Sequence, residues 1–91
     1  MQNEKEIVIF YTSDFQKAYR ELPVKIQDIV DKKEAIFRKN PRYPSLQTHR
    51  LHAPLEGLWS FYVTKKKYRV LFEFVANGAL FHDVGTHDIY R

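Results

Sequence analysis

Apolar and polar positions alternate along Tyr68–Val75, and this pattern predicts a central β-strand. A period of two places one wholly apolar set of side chains on one face: Tyr68, Val70, Phe72 and Phe74. The other face carries Arg69, Leu71, Glu73 and Val75. A strand covered on both faces would carry Val or Ile there, so we expect the face with Arg69 to lie away from the core.

Two helices are expected before this strand. The first is predicted to begin at Ser13, which forms a capping-box pattern with the glutamine three residues later. Pro23 ends this helix and can open the second one, which Asn40-Pro41 stops. In the second helix Lys33 is the single basic interruption of an apolar stripe. The stripe consists of Ile26, Ile29, Val30, Ile36 and Phe37.

Strands complete the predicted order, β-α-α-β-β-β. A strand at Ile7–Tyr11 precedes the helices, and residues 40–56, with three prolines and no sustained period, are expected to be an ordered loop. Leu58–Thr64 alternates as a strand, and Asn77-Gly78 reverses the chain into Ala79–Val84. We therefore predict one α+β domain, residues 1–91, with a small, mainly antiparallel sheet and a two-helix hairpin packed on one face.

Composition narrows the class of protein. The chain has 91 residues, a formal net charge of +4 and no cysteine, so a disulfide scaffold and a thiolate metal site are excluded. No apolar run reaches the roughly 20 residues of a membrane span, and the N-terminus lacks the layout of a signal peptide. We expect a cytoplasmic protein without a membrane partner. The positive charge makes a polyanion a plausible partner.

Arg69 and the histidines are the candidate reactive groups. Arg69 either pairs with a carboxylate such as Glu73 or forms an anion site on a rigid strand. His82 lies inside a strand, where a structural role is expected, whereas His49, His52 and His87 lie in the loop and the tail. The His-x-x-His spacing of the loop is a weak ligand signature, so no metal site is predicted. A basic rim for RNA is also possible, with Lys65, Lys66, Lys67, Arg50, Arg69 and Arg91.

Five segments, taken together and in this order, resemble the RelE/ParE superfamily of type II toxin–antitoxin toxins. They span nearly the whole chain: Thr12–Lys17, Asn40-Pro41, His52–Phe61, Tyr68–Phe72 and Val84–Arg91. The resemblance implies a toxin that a cognate antitoxin neutralises and that reaches operator DNA only through the antitoxin. It also implies that the toxin cuts mRNA on the ribosome by attack of the 2′-OH, without a metal or other cofactor.

The resemblance also implies roles for single residues. Arg69 would neutralise the scissile phosphate, His87 would act as general acid or base, and Tyr90 would orient the phosphate or stack on a base. His49, in preference to His52, would be the partner base in the loop. The RNA-binding set would be Arg50, His52, Lys65, Lys66, Lys67 and Arg91. The lysine pair of one subgroup has no secure match here, and a gyrase-inhibiting toxin or a non-catalytic, antitoxin-binding homologue is the alternative.

Overall fold

The computed structural model describes residues 6–65 and 67–90, which form a mixed five-stranded sheet and two α-helices. The helices are α1 (Ser13–Arg20) and α2 (Val24–Lys39), and short 3-10 helices cover Pro44–Leu46 and His87–Tyr90. The strands are β1 (Val8–Tyr11), β2 (His49–Arg50), β3 (Trp59–Tyr62), β4 (Arg69–Val75) and β5 (Gly78–Gly85). Lys66 and Arg91, both expected to bind RNA, lie outside the described residues.

The strand order across the sheet is β1-β5-β4-β3-β2, which makes β4 the middle strand, between β5 and β3. β1 runs parallel to β5, and the other neighbouring strands are antiparallel. The expected α+β class with a mainly antiparallel sheet is confirmed. Only the first strand is parallel to its neighbour, because both helices and three strands intervene before β5 and form the crossover that a parallel pair requires.

A cluster of aromatic rings forms the core on one face of the sheet. Phe61 of β3, Phe72 of β4 and Phe81 of β5 are at most 1% exposed. Phe37 of α2 contacts these three rings at centroid distances of 5.1, 4.9 and 5.3 Å, respectively. Phe15 of α1 contacts Phe81 at 5.4 Å. The ring contacts of both helices therefore converge on Phe81.

β4 follows the expected alternation, whereas β5 contains a bulge. Phe72 pairs with Phe81, but the residue before Phe72 pairs with Asp83, so His82 is an extra residue in β5. Because of this bulge, Phe81 and Val84 both belong to the core although they are three residues apart. Asp83 consequently lies on the opposite face, and simple alternation along β5 could not have placed it there.

The ends of the helices are fixed by side chains and by proline. Thr12, rather than Ser13, is the N-cap of α1: its Oγ1 accepts a hydrogen bond from the Phe15 N–H at 3.0 Å. Pro23 precedes α2, as expected. The Tyr19 hydroxyl of α1 donates to Asp31 of α2 at 2.7 Å, and this bond to a carboxylate raises the pKa of Tyr19 to about 12. No helix within the described ranges is long and apolar enough to cross a membrane.

The expectation that residues 40–56 form only a loop is wrong. They contain the 3-10 helix Pro44–Leu46, whose Leu46 is fully buried, and the two-residue strand β2. β2 exists because His49 and Arg50 pair with Ser60 and Trp59 of β3. Such a short pairing is a tertiary contact and leaves no periodic signal in the sequence.

Candidate active site

Strand register determines which side chains share the face opposite the core. Ser60 and Tyr62 of β3 pair with Leu71 and Arg69 of β4, and paired residues of neighbouring strands point to the same side. His49 of β2 pairs with Ser60 and therefore joins this face. We call this the site face. It collects a histidine, a tyrosine and an arginine from three adjacent strands.

Arg69 is at the centre of the site face and is only 8% exposed. Its Cζ lies 4.9 Å from the ring centroid of Tyr62 and 5.3 Å from that of Tyr90. Its Nη1 lies 3.2 Å from Nδ1 of His87. A guanidinium only donates hydrogen bonds, so His87 accepts at Nδ1, and in the neutral ring the proton is on Nε2. Two aromatic rings and a histidine thus hold Arg69.

The expectation of an uncovered face around Arg69 is therefore wrong. The C-terminal 3-10 helix folds back over the strand and brings Tyr90 onto the guanidinium. Glu73, the carboxylate expected to pair with Arg69 in the structural alternative, contacts His82 of β5: its Oε1 lies 3.0 Å from Nε2 of His82. His82 thus has the structural role expected for it.

The C-terminal turn is fixed to the sheet by a hydroxyl pair. The Tyr90 hydroxyl donates to Oγ of Ser60 at 2.7 Å, and Ser60 is fully buried. The rings of His87 and Tyr90 meet edge to face at 5.1 Å. Gly85, opposite Arg69, admits the turn closely, because a Cβ there would lie 2.9 Å from Cγ2 of Ile89. The turn therefore positions His87 and Tyr90 together.

His49 forms the other end of the site face. Its Nδ1 lies 2.8 Å from the carbonyl oxygen of Gln47. A carbonyl only accepts, so Nδ1 carries the proton and Nε2 of the neutral ring is left as an acceptor. The His49 ring lies 5.8 Å from the Tyr62 ring, and Tyr62 in turn contacts Arg69. His49, Arg69, His87 and Tyr90 are consequently linked through direct contacts and Tyr62.

The other members of the expected RNA-binding set that lie within the described residues do not join this cluster. Arg50 pairs with Trp59 and lies over its ring at 5.4 Å, on the side of β2 opposite His49. His52 is exposed and lines a groove of about 450 Å³ with Arg50 and Trp59. Lys65 lines a different groove that reaches Tyr62, and Lys67 lies 5.5 Å from the ring of the neighbouring tyrosine.

Sequence reasoning missed Ser60 and Gln47. The alternation of Trp59, Ser60, Phe61 and Tyr62 contained a signal for Ser60, since a serine between two core aromatics falls on the face of Arg69. Gln47 gave no signal, because it acts through its backbone carbonyl at a left-handed φ of 52°. In the described part of the chain, no group of three or more His, Asp or Glu side chains is placed to hold a metal ion.

Comparisons with known proteins agree on the fold. No protein-family model matches the sequence, and no curated protein matches it. Among solved structures, the YoeB/ParE toxin from Agrobacterium tumefaciens has a TM-score of 0.72 at 12% identity, covering 87% of this chain and 96% of that one. YafQ from E. coli has a TM-score of 0.66 at 16% identity, covering 93% and 98%.

A chain of the toxin–antitoxin complex RelBE2 from Mycobacterium tuberculosis has a TM-score of 0.68 at 18% identity, covering 96% of this chain and 98% of that one. At these identities the similarity establishes the architecture. The chain has the fold of the RelE/ParE superfamily of toxins.

Proposed function

We propose that this protein is the toxin of a type II toxin–antitoxin system and cleaves mRNA on the ribosome. The observation that carries the proposal is the joining of His49, Arg69, His87 and Tyr90 on one face of the sheet. An arginine between two histidines is sufficient for RNA cleavage, because the 2′-OH of the substrate is the nucleophile. The proposed reaction uses these side chains and no metal.

In this mechanism His49 removes the proton from the 2′-OH. Its Nε2 is the acceptor because Gln47 holds the proton on Nδ1. The 2′-oxygen then forms a bond to the adjacent phosphorus, and the bond from phosphorus to the 5′-oxygen breaks. The products are a 2′,3′-cyclic phosphate and a 5′-hydroxyl.

Arg69 and His87 act on the phosphate and on the leaving group. The phosphate takes the guanidinium N–H that His87 accepts in the free protein, and Arg69 stabilises the charge that develops on the phosphate oxygens. Nδ1 of His87 is then free to bind a proton, and the resulting imidazolium protonates the leaving 5′-oxygen. Tyr90, over the guanidinium, orients the phosphate or stacks on a base.

A cognate antitoxin is the proposed protein partner. The solved structures that share this fold include the toxin–antitoxin complexes RelBE2 from Mycobacterium tuberculosis and DinJ–YafQ from E. coli. An antitoxin that binds operator DNA would be the only connection of this chain to that DNA. The proposed place of action is the cytoplasm, where the ribosome is.

The proposal is tested with Arg69→Ala and His87→Ala, followed by primer extension on ribosome-bound mRNA after induction. Each variant is expected to lower the cleavage rate by about 10²-fold or more, because one charge-stabilising or acid–base group is removed. Arg69→Met, which keeps the volume of the side chain, separates loss of chemistry from loss of folding. His82→Gln is the matched control, because His82 contacts Glu73 and is not one of the four residues in the proposed mechanism. This variant should cleave mRNA at the rate of the wild type.

Two results would overturn the proposal. One is undiminished cleavage by the double variant Arg69→Ala/His87→Ala. The other is intact mRNA together with accumulated gyrase–DNA cleavage complexes in cells that express the wild-type chain, which would favour the gyrase-inhibiting alternative.

A further inference from the structure

We propose that a groove next to the active site binds the RNA phosphate adjacent to the scissile one, with Lys33 as its principal contact. This inference rests on the proposed function, and it assigns part of the substrate to a surface outside the reacting cluster. The groove has a volume of about 560 Å³. Its lining comes from α2, the loop after it and the β3–β4 connection: Lys33, Ser45, Gln47, Tyr62, Val63, Thr64 and Lys65.

Lys33 occupies a position of α2 where the apolar pattern of the helix predicts an apolar residue. It lies on the apolar stripe of α2, one turn from Ile29 and Phe37, at a position where a core-facing residue is expected. Lysine is rarely buried, and its long stem lets the ammonium reach water while the methylenes cover apolar surface. In the structure Lys33 is half-buried and lines the groove. Lys33 thus contributes a positive charge to the lining of this groove.

Two residues of the groove lining also contact members of the active-site cluster. Tyr62 lines it and also contacts Arg69, at 4.9 Å, and His49, at 5.8 Å between ring centroids. Gln47 lines it too, and its carbonyl oxygen accepts the hydrogen bond that orients His49. An RNA strand with its scissile phosphate on Arg69 would therefore have a neighbouring nucleotide beside Tyr62.

The chemistry of the lining fits one phosphate and one base. Lys33 and Lys65 supply positive charge from two different elements, and the described lining contains no acidic side chain. Tyr62 offers a ring for stacking, and Ser45, Gln47 and Thr64 offer polar groups to a base edge. The groove on the other side of β2 is different, because Glu56 lies in it beside Arg50 and His52. The phosphate is therefore assigned to the groove of Lys33.

The test compares Lys33→Gln with Lys32→Gln in single-turnover cleavage on ribosomes programmed with a synthetic mRNA. Lys32 is exposed on the same helix and is not part of the groove lining, so the two variants lose the same charge from neighbouring positions. Lys33→Gln is expected to raise the half-saturating protein concentration about tenfold and to reduce its salt dependence by about one charge. The rate at saturation should stay unchanged, and Lys33→Arg should restore binding.

A modified mRNA locates the contact. In one mRNA the phosphate on the 5′ side of the scissile one is replaced by an uncharged methylphosphonate, and in another mRNA the phosphate on the 3′ side is replaced. One of these two replacements should weaken binding by the wild-type protein. In that case Lys33→Gln should cause no further loss, because the partner of its charge is already absent.

Three outcomes are decisive. If Lys33→Gln behaves like Lys32→Gln while the wild type cleaves mRNA, the inference fails and the proposed function stands. If Lys33→Gln weakens binding equally with all three mRNAs, Lys33 contacts something other than this phosphate and the inference also fails. If the wild type does not cleave mRNA at all, the proposed function fails and the inference falls with it.

Discussion

The two faces of the sheet bury very different side chains on the same strands. On the core face Phe37 contacts the buried rings of β3, β4 and β5. On the site face the buried group is Arg69, 8% exposed and held by two tyrosines and His87. Burial of an aromatic ring stabilises the fold, whereas burial of a guanidinium costs hydration energy that its contacts must offset. We infer that the core face supplies stability and that the site face holds a charge for chemistry.

The largest expected effect is on the core face. Phe37→Ala should lower the free energy of unfolding by about 3–5 kcal/mol, since it removes a fully buried ring and leaves a cavity among three others. Urea unfolding followed by circular dichroism measures this loss. Val24→Ala is the control, because Val24 is 71% exposed on the same helix, and its effect should be within about 0.5 kcal/mol. A loss below about 1 kcal/mol for Phe37→Ala would contradict this role of the core face.

The second effect separates the two loop histidines. His49→Ala should lower the mRNA cleavage rate by about 10²-fold or more, equivalent to about 2.7 kcal/mol, because it removes the proposed base. His52→Ala should change the rate less than about threefold, since His52 lies in the groove of Arg50 and Trp59. Both variants should unfold like the wild type. Equal losses of activity in the two would show that the site face does not distinguish them.

These two histidines also show how far the sequence could lead. The alternation in β4 placed Val70 and Phe72 in the core and Arg69 opposite, because a strand with one buried face has a period of two. The choice between His49 and His52 depended on β2, a two-residue strand whose pairing with Ser60 is a tertiary event. The return of Tyr90 over Arg69 likewise depends on the turn after β5, and polar residues near a terminus carry no signal for it.

The third effect tests how the site face is held together. Tyr90→Phe removes the hydroxyl that donates to fully buried Ser60, and it should lower the free energy of unfolding by about 1–3 kcal/mol. The double variant Tyr90→Phe/Ser60→Ala should recover part of this loss, because neither hydroxyl of the pair is then left buried without its partner. Urea unfolding of the two single variants and the double variant gives the coupling energy. Strict additivity would mean that the hydroxyl pair does not fix the turn.

The smallest effect concerns a carboxyl group on α2, away from the site face. Burial raises the pKa of Glu34 above its ordinary value of 4.5, and the Arg38 guanidinium, 3.2 Å away, partly opposes this shift. The native state then retains the proton to a higher pH than the unfolded chain, so this group lowers stability as the pH rises through the interval above 4.5.

In Glu34→Gln this dependence of stability on pH is absent. Relative to the wild type, the variant should therefore gain stability as the pH rises above 4.5. The gain should be less than about 1 kcal/mol, because both side chains of the pair are partly exposed. Urea unfolding across this range measures the gain, with Glu21→Gln as the matched substitution at the exposed C-cap residue of α1. A relative stability that falls with pH would reverse the sign and show that the contact with Arg38 outweighs the burial of the carboxylate.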